Sequence, residues 1–132
     1  MTDCPFCHLD PAADLLADGP WAAFLDRFPV SPGHTLLVPR RHLVSFMDLD
    51  ESERGSVIES LHGIIAQLRA EFAPDGFNVG INDGRAAGQT VMHLHVHVIP
   101  RYDGDVADPR GGVRGVIPDK TAYWGAADRG GE

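Results

Sequence analysis

Polar and apolar residues alternate strictly in one stretch of the C-terminal half of the chain. Residues 92–98 run Met-His-Leu-His-Val-His-Val, with a histidine at every second position. A period of two is that of a β-strand, whose successive side chains point to opposite faces of the sheet. The pattern predicts a strand within residues 89–101, with His93, His95 and His97 on one face and aliphatic side chains on the other. Pro100 is expected to end this strand, since proline lacks the N–H that a ladder needs.

Further apolar segments predict the rest of the fold. Three of them, bounded by glycine, proline or acidic residues, predict strands: residues 21–26, 35–39 and 77–81. From Asp50 to about Phe72 the apolar residues instead recur every three or four positions, as on one face of a helix. Asp50 followed by Glu53 resembles a capping box at its start. The expected apolar stripe comprises Val57, Ile58, Leu61, Ile64, Ile65, Leu68 and Phe72. The elements together predict an α+β fold, an antiparallel sheet with one long helix packed on one face.

Composition indicates a single domain over residues 1–132 and narrows its partners. The chain is 43% hydrophobic and has no apolar run long enough to cross a bilayer. A net charge of −8 argues against non-specific nucleic-acid binding, which relies on clustered Lys and Arg. No secretory signal pattern is visible, so a cytoplasmic location is expected. Residues 102–132 are rich in Gly, Asp, Arg and Pro and predict an irregular tail, in which Tyr123 and Trp124 are expected to dock on the core or on a partner subunit.

The two cysteines of the chain, Cys4 and Cys7, have the spacing C-x-x-C. In a cytosolic protein this spacing is typical of redox or metal chemistry rather than of a structural disulfide. The pair does not follow a predicted strand, as a thioredoxin-like motif would, so zinc is the favoured interpretation. Two thiolates are half of a tetrahedral site, and two further ligands must come from elsewhere. The alternative is a pair of free thiols near the terminus.

The three histidines on one strand face indicate chemistry rather than a solvated surface. Neighbouring residues on one face of a strand lie about 6.5–7 Å apart, so two of them can meet one small anion. Neutral imidazole is also a nucleophile near pH 7. A catalytic metal held by the row itself is a weaker alternative, because bonds of about 2.0–2.1 Å cannot reach one ion from three positions along a straight strand. A non-catalytic nucleotide-binding module is a further alternative.

The motif His93-Leu-His-Val-His97-Val-Ile, preceded by Gly88-Gln-Thr-Val, resembles the signature of the histidine triad (HIT) superfamily of nucleotide hydrolases and transferases. Pro-Gly-His34 before an aliphatic strand resembles a second element of that family, and the likeness covers about residues 4–101. It implies a HIT-like antiparallel sheet of about five strands with one helix. It also implies a homodimer in which the two sheets are continuous.

The resemblance further implies roles for individual residues. His95 would attack the α-phosphorus of a purine nucleotide conjugate and give a nucleotidyl-histidine intermediate. His97 and His34 would bind phosphate oxygens and handle the proton of the leaving group. Asp26 would bind the ribose hydroxyls. The residues expected at the substrate phosphate, besides His97, are Asn82, Gly88, Gln89 and Thr90.

The identity of the substrate stays open between phosphoramidates, aminoacyl adenylates and dinucleoside polyphosphates of AMP or GMP. Gln89-Thr-Val and the ending Ile99-Pro-Arg101 are similar to the dinucleoside polyphosphate branch. The Cys-x-x-Cys start is instead similar to zinc-bearing bacterial members, in which two histidines complete the site. That likeness implies a structural zinc ion at Cys4, Cys7, His42 and His93, with no catalytic metal required.

Overall fold

The computed structural model describes residues 4–9 and 14–124. The chain divides into two compact units, residues 1–101 and 102–132. Within its described part, the first unit contains five strands and one α-helix, in the order β1 (Asp14–Asp18), β2 (Trp21–Leu25), β3 (Thr35–Pro39), α1 (Glu51–Phe72), β4 (Gly76–Ile81) and β5 (Val96–Arg101). The strands form one sheet in the order β1-β2-β3-β5-β4, and every neighbouring pair is antiparallel. The predicted α+β architecture is confirmed.

The described part of the second unit contains two short 3-10 helices, Gly112–Val116 and Pro118–Lys120. Two arginine–aromatic contacts form inside it. The guanidinium of Arg110 lies 4.5 Å from the ring centre of Trp124, and that of Arg114 lies 4.7 Å from the ring centre of Tyr123. The aromatic pair therefore has partners within its own unit.

The histidine strand differs from the prediction at both ends. Ladder pairing begins only at Val96, and the Leu94 N–H bonds instead to the carbonyl of Leu43 at 2.8 Å. Pro100 does not end the strand but lies inside β5, opposite Phe77. Its carbonyl accepts a hydrogen bond from Ser31 Oγ, so its nitrogen faces the same side. Because β3 begins only at Thr35, no ladder donor is needed there, and proline fits.

The two faces of the sheet carry different layers. Trp21, Ala23, Leu37, Val96 and Val98 belong to the main core with the helix residues Ile64 and Leu68. The opposite face carries Ala22, Phe24, Leu36 and Val38, against which Phe6 and Leu9 pack. His97 is registered opposite Leu36 and therefore lies on this second face. The histidines thus face away from the helix and toward the N-terminal segment.

Helix α1 begins at the predicted cap. Asp50 accepts a bond from the Glu53 N–H, and Glu53 accepts one from the Asp50 N–H, each at 2.8 Å. The apolar stripe packs on the sheet except for Ile58, which is 68% exposed, so its place in the stripe was predicted wrongly. Ser60, two positions later, is buried instead of Ile58. Within the part of the chain that the structure describes, no helix is long and apolar enough to cross a membrane.

Glu53 connects the start of α1 to the loop before it. Its carboxylate is buried and accepts two bonds from Arg41, at 2.8 and 3.1 Å, besides its bond in the capping box. Glu53→Ala removes all three acceptor bonds, so we expect it to lower the free energy of unfolding by about 1–3 kcal/mol in urea melts. Glu51→Ala, at an exposed position in the same turn, is the matched control and should change it by less than about 0.5 kcal/mol. Equal effects of the two substitutions would refute this role.

Candidate active site and metal site

A chain of hydrogen bonds fixes the protonation of His34 and His97. The Val30 N–H donates to His34 Nδ1 at 3.1 Å, so a neutral His34 carries its proton on Nε2. This Nε2 lies 3.0 Å from His97 Nδ1, to which it donates. A neutral His97 then carries its proton on Nε2. Asp26 Oδ2 lies 3.4 Å from the same His34 nitrogen.

His95 is held by its own main chain. Its Nδ1 lies 2.9 Å from the carbonyl oxygen of His93. A carbonyl only accepts, so Nδ1 carries a proton, and in the neutral form of the ring Nε2 keeps a free lone pair. Among the described residues none donates to this Nε2, and the ring of His95 lines a cavity. The geometry is that of a neutral imidazole ready to act as a nucleophile.

The four predicted zinc ligands come together. The donor atoms of Cys4, Cys7, His42 and His93 all lie within 4.8 Å of one another. His93 Nδ1 is 3.3 Å from Cys4 Sγ and 3.6 Å from Cys7 Sγ, and His42 Nδ1 is 3.2 Å from Cys7 Sγ. Ligands around a tetrahedral zinc ion lie about 3.3–3.8 Å apart, given bonds of about 2.0–2.3 Å. The residues therefore fit a structural zinc ion.

The tautomer of His93 also suits metal binding. Its Nε2 donates to the carbonyl of Pro39 at 2.8 Å, which leaves the Nδ1 lone pair facing the thiols. A metal-bound histidine typically donates its other N–H to such a carbonyl. Burial lowers the pKa of His93, and the neutral form is the one that binds a metal.

A second compact group, Asp26, His34 and His97, has the residue types of a metal site but the wrong proton positions. The atom of His34 that faces the group is Nε2, which carries a proton because Nδ1 accepts from Val30. For Nε2 to bind a metal, that backbone hydrogen bond would have to break. This group is therefore suited to hydrogen bonding rather than to metal binding.

A cavity of about 600 Å³ opens beside the histidines. One part of its lining is apolar and includes Phe6, Leu9, Phe24, Leu25 and Leu36. Another part contains the predicted nucleophile His95 and most of the residues predicted to bind substrate, namely Asp26, Asn82, Gly88, Thr90 and His97. Dimensions of this order suit a small organic ligand with one polar end.

Two predicted site residues do not reach the cavity. His34 is buried behind His97 and can act on a ligand only through it. Gln89 is buried in the loop, where Oε1 accepts from the Gly84 N–H and Nε2 donates to the carbonyls of Val44 and Val91. Both N–H donors of this amide are used inside the protein. The side chain of Gln89 therefore holds the loop together and has no spare N–H donor for a phosphate.

Sequence reasoning missed one part of the site, the wall contributed by residues 5–9. Phe6 and Leu9 line the cavity, and the Phe6 ring centre lies 5.1 Å from that of His95. The available signal was an aromatic residue between the two cysteines. Phe6 lies between the two cysteines in the sequence. If both cysteines lie close to His93, Phe6 must lie close to the neighbouring triad residues as well.

Burial lowers the pKa of His34, an effect that the nearby Asp26 carboxylate partly offsets. The unfolded chain, with an ordinary histidine pKa of about 6.5, then binds protons at a pH where folded His34 does not. The contribution of His34 to the free energy of unfolding is therefore fully present above the unfolded-state pKa of about 6.5. It is lost as the pH falls from there toward the lower pKa of the folded state. We expect the free energy of unfolding to decline less between pH 7.5 and 5.5 in His34→Gln than in the wild type, in urea melts at equal metal content. Parallel declines would contradict a depressed His34 pKa.

Comparison with known proteins agrees with this geometry. A family model described as the HIT domain matches residues 10–104. An uncharacterized HIT-like protein of Methanocaldococcus jannaschii is 39% identical over 106 residues, covering 77% of this chain and 81% of that protein. The asymmetrical bis(5′-nucleosyl)-tetraphosphatase of Schizosaccharomyces pombe is 39% identical over 87 residues, covering 66% of this chain but only 48% of that protein.

Solved structures extend the likeness to the fold. A zinc-bound histidine triad family protein of Mycobacterium smegmatis superposes with a TM-score of 0.72 at 35% identity, covering 81% of each chain. The family model spans well over half of this chain and includes α1, the loop before the triad and all five strands. The chain belongs to the HIT-domain family.

Proposed function

We propose that this protein cleaves purine nucleotide conjugates at the α-phosphate, through a nucleotidyl-histidine intermediate on His95, and releases a nucleoside monophosphate such as AMP. The observation that carries the proposal is the tautomer of His95, whose ring lines the cavity and, when neutral, keeps its proton on Nδ1 and a free lone pair on Nε2. The N–H of His97 beside it supplies a donor for the phosphate oxygens. The tetraphosphatase activity named for the S. pombe relative supports the same class of reaction.

In the first step, the Nε2 lone pair of His95 forms a bond to the α-phosphorus. The bond from phosphorus to the leaving group breaks, and the leaving group keeps its electron pair. A polyphosphate leaving group departs as an anion and needs no proton, whereas an amine must take one up. We assign that proton to the His97–His34 pair, which takes it from solvent. Water then attacks the phosphorus, the bond between phosphorus and His95 Nε2 breaks, and His95 is regenerated. The proton that water loses replaces the one given to an amine leaving group, and after a polyphosphate has left it is released to solvent.

The remaining roles follow the lining of the cavity. Asp26 binds the ribose hydroxyls as an acceptor, and Asn82, Gly88 and Thr90 contact the phosphate. The apolar wall with Phe24 and Leu36 receives the purine. Cys4, Cys7, His42 and His93 would hold a structural zinc ion, which would cross-link the N-terminal segment to the strand that presents His95.

The proposal includes a homodimer with a continuous sheet. Strand β4 occupies one edge of the sheet and has six residues available for pairing with a second copy. An antiparallel pair of two such edges would satisfy both rows of backbone groups. Light scattering of the purified protein would test this assembly directly.

Incubation with adenosine 5′-phosphoramidate and with diadenosine tetraphosphate tests the function. AMP release that persists in EDTA supports a hydrolase without a catalytic metal. Because only the amine needs a proton, we expect phosphoramidate turnover to fall more steeply with rising pH than tetraphosphate turnover. AMP binding without turnover of either substrate would favour a non-catalytic nucleotide-binding module.

A further inference from the structure

One short segment, residues 4–9, belongs to both sites. It supplies two of the four clustered metal ligands, Cys4 and Cys7, and it also supplies Phe6 and Leu9 to the cavity wall. We propose that metal binding at the four-ligand cluster and nucleotide binding in the cavity are energetically coupled through this segment, with Phe6 as the positioning residue. The proposal rests on the nucleotide-binding function proposed above.

The segment has few other restraints. Among the described residues, its backbone makes one hydrogen bond, from the Cys7 N–H to the Cys4 carbonyl, and none to the sheet. It is held by side chains, through the contacts of its thiols with His42 and His93 and the packing of Phe6 and Leu9 on the second face. Because few backbone hydrogen bonds hold this segment, we expect it to become less ordered when no metal ion is bound by its two cysteines and the two histidines.

Phe6 connects the two sites physically. Its ring centre lies 5.9 Å from that of His93, a member of the metal cluster, and 5.1 Å from that of His95 in the cavity. It also packs on Phe24 across the apolar wall, with ring centres 5.4 Å apart. A metal ion that fixes Cys4 and Cys7 therefore fixes the ring that completes the wall and flanks His95.

Coupling of this kind is reciprocal. If metal binding orders a wall that the nucleotide needs, bound nucleotide must raise the affinity for metal by the same factor. Couplings between two sites typically amount to about 5–150-fold. We expect saturating AMP to tighten zinc binding within that range. Removal of zinc should weaken AMP binding equally.

The experiment measures zinc affinity by competition with a chromophoric chelator, with and without saturating AMP, and AMP affinity by calorimetry with zinc and with EDTA. A titration of chelator and AMP without protein corrects for direct zinc–AMP binding. Phe6→Ala is the test variant. Phe28→Ala is the matched control, because Phe28 also lines the cavity but lies in the loop after β2 and is 81% exposed.

The expected result is a coupling factor that is equal in both directions, lost in Phe6→Ala and kept in Phe28→Ala. Phe6→Leu keeps an apolar side chain and should retain part of the coupling. If Phe6→Ala fails to fold, the test uses Phe6→Leu, for which a reduced coupling factor is expected. AMP binding that leaves zinc affinity unchanged in the wild type would overturn the coupling without touching the proposed function. Coupling that survives in Phe6→Ala would overturn the role of Phe6. Absence of AMP binding under all conditions would overturn the proposed function itself.

Discussion

His95→Ala is expected to lower kcat for AMP release by at least about 10³-fold, the largest effect of any single substitution in this chain. The imidazole is the attacking group, and its neighbour in the cavity lining, His97, carries its proton on Nε2 when it is neutral and so presents a donor there rather than a lone pair. Because the side chain contributes little to the apolar wall, AMP should still bind. Rapid-quench kinetics with the two substrates, together with AMP titration, measure these effects separately.

The controls distinguish the nucleophile from a generally important histidine. His62→Ala, at an exposed position on α1, should leave kcat unchanged. In the wild type, rapid denaturation at alkaline pH, where a P–N bond to histidine survives, should reveal a covalent nucleotidyl adduct that is absent from His95→Ala. Turnover retained in His95→Ala would show that another histidine performs the attack.

His93→Ala is expected to cause the largest loss of stability, about 3–5 kcal/mol in the free energy of unfolding. The substitution leaves a cavity at a fully buried position and deprives the Pro39 carbonyl of its donor. It also removes one of the four clustered ligands. Urea melts with zinc and with EDTA separate these contributions, since the cavity and the lost hydrogen bond persist without metal.

His42→Ala provides the comparison for this effect. His42 is exposed, so its removal deletes a ligand without opening a buried cavity. Its loss of stability should appear in zinc and disappear in EDTA, whereas that of His93→Ala should be reduced by EDTA but remain. A wild-type melt that is the same in zinc and EDTA would contradict a structural metal at this cluster.

The elements that sequence patterns predicted well are those that bury one face. Helix α1 was predicted to within one residue because its capping box and its apolar spacing agree. Strand β1 was missed, since Asp-Leu-Leu-Ala-Asp neither alternates nor contains β-branched residues and gains its conformation by pairing with β2. Pro100 was wrongly predicted to end its strand. A proline interrupts a ladder only where a neighbouring strand needs its N–H as a donor, and β3 does not extend to the position opposite Pro100.

In the site, residue spacing predicted proximity but not the direction of hydrogen bonds. The alternation of the triad was enough to place three histidines on one face. It could not show that the side-chain amide of Gln89 forms hydrogen bonds with three backbone groups. Nor could it show that His34 contacts His97 rather than lining the cavity. These outcomes depend on main-chain atoms such as the Val30 N–H and the His93 carbonyl. Such atoms have no signature in the sequence.

The hydrogen bond from the Val30 N–H to His34 Nδ1 sets the direction of the hydrogen bonds at the site from a main-chain atom rather than from a charged side chain. A backbone amide cannot lose its proton, so the series from Val30 through His34 to His97 runs in one direction and presents a donor at its end. A protein of net charge −8 can in this way offer an anion a favourable contact through a neutral imidazole. A ligand that presents only donors to His97 would find no acceptor there. At His97 the site should therefore favour a ligand group that accepts a hydrogen bond over one that donates.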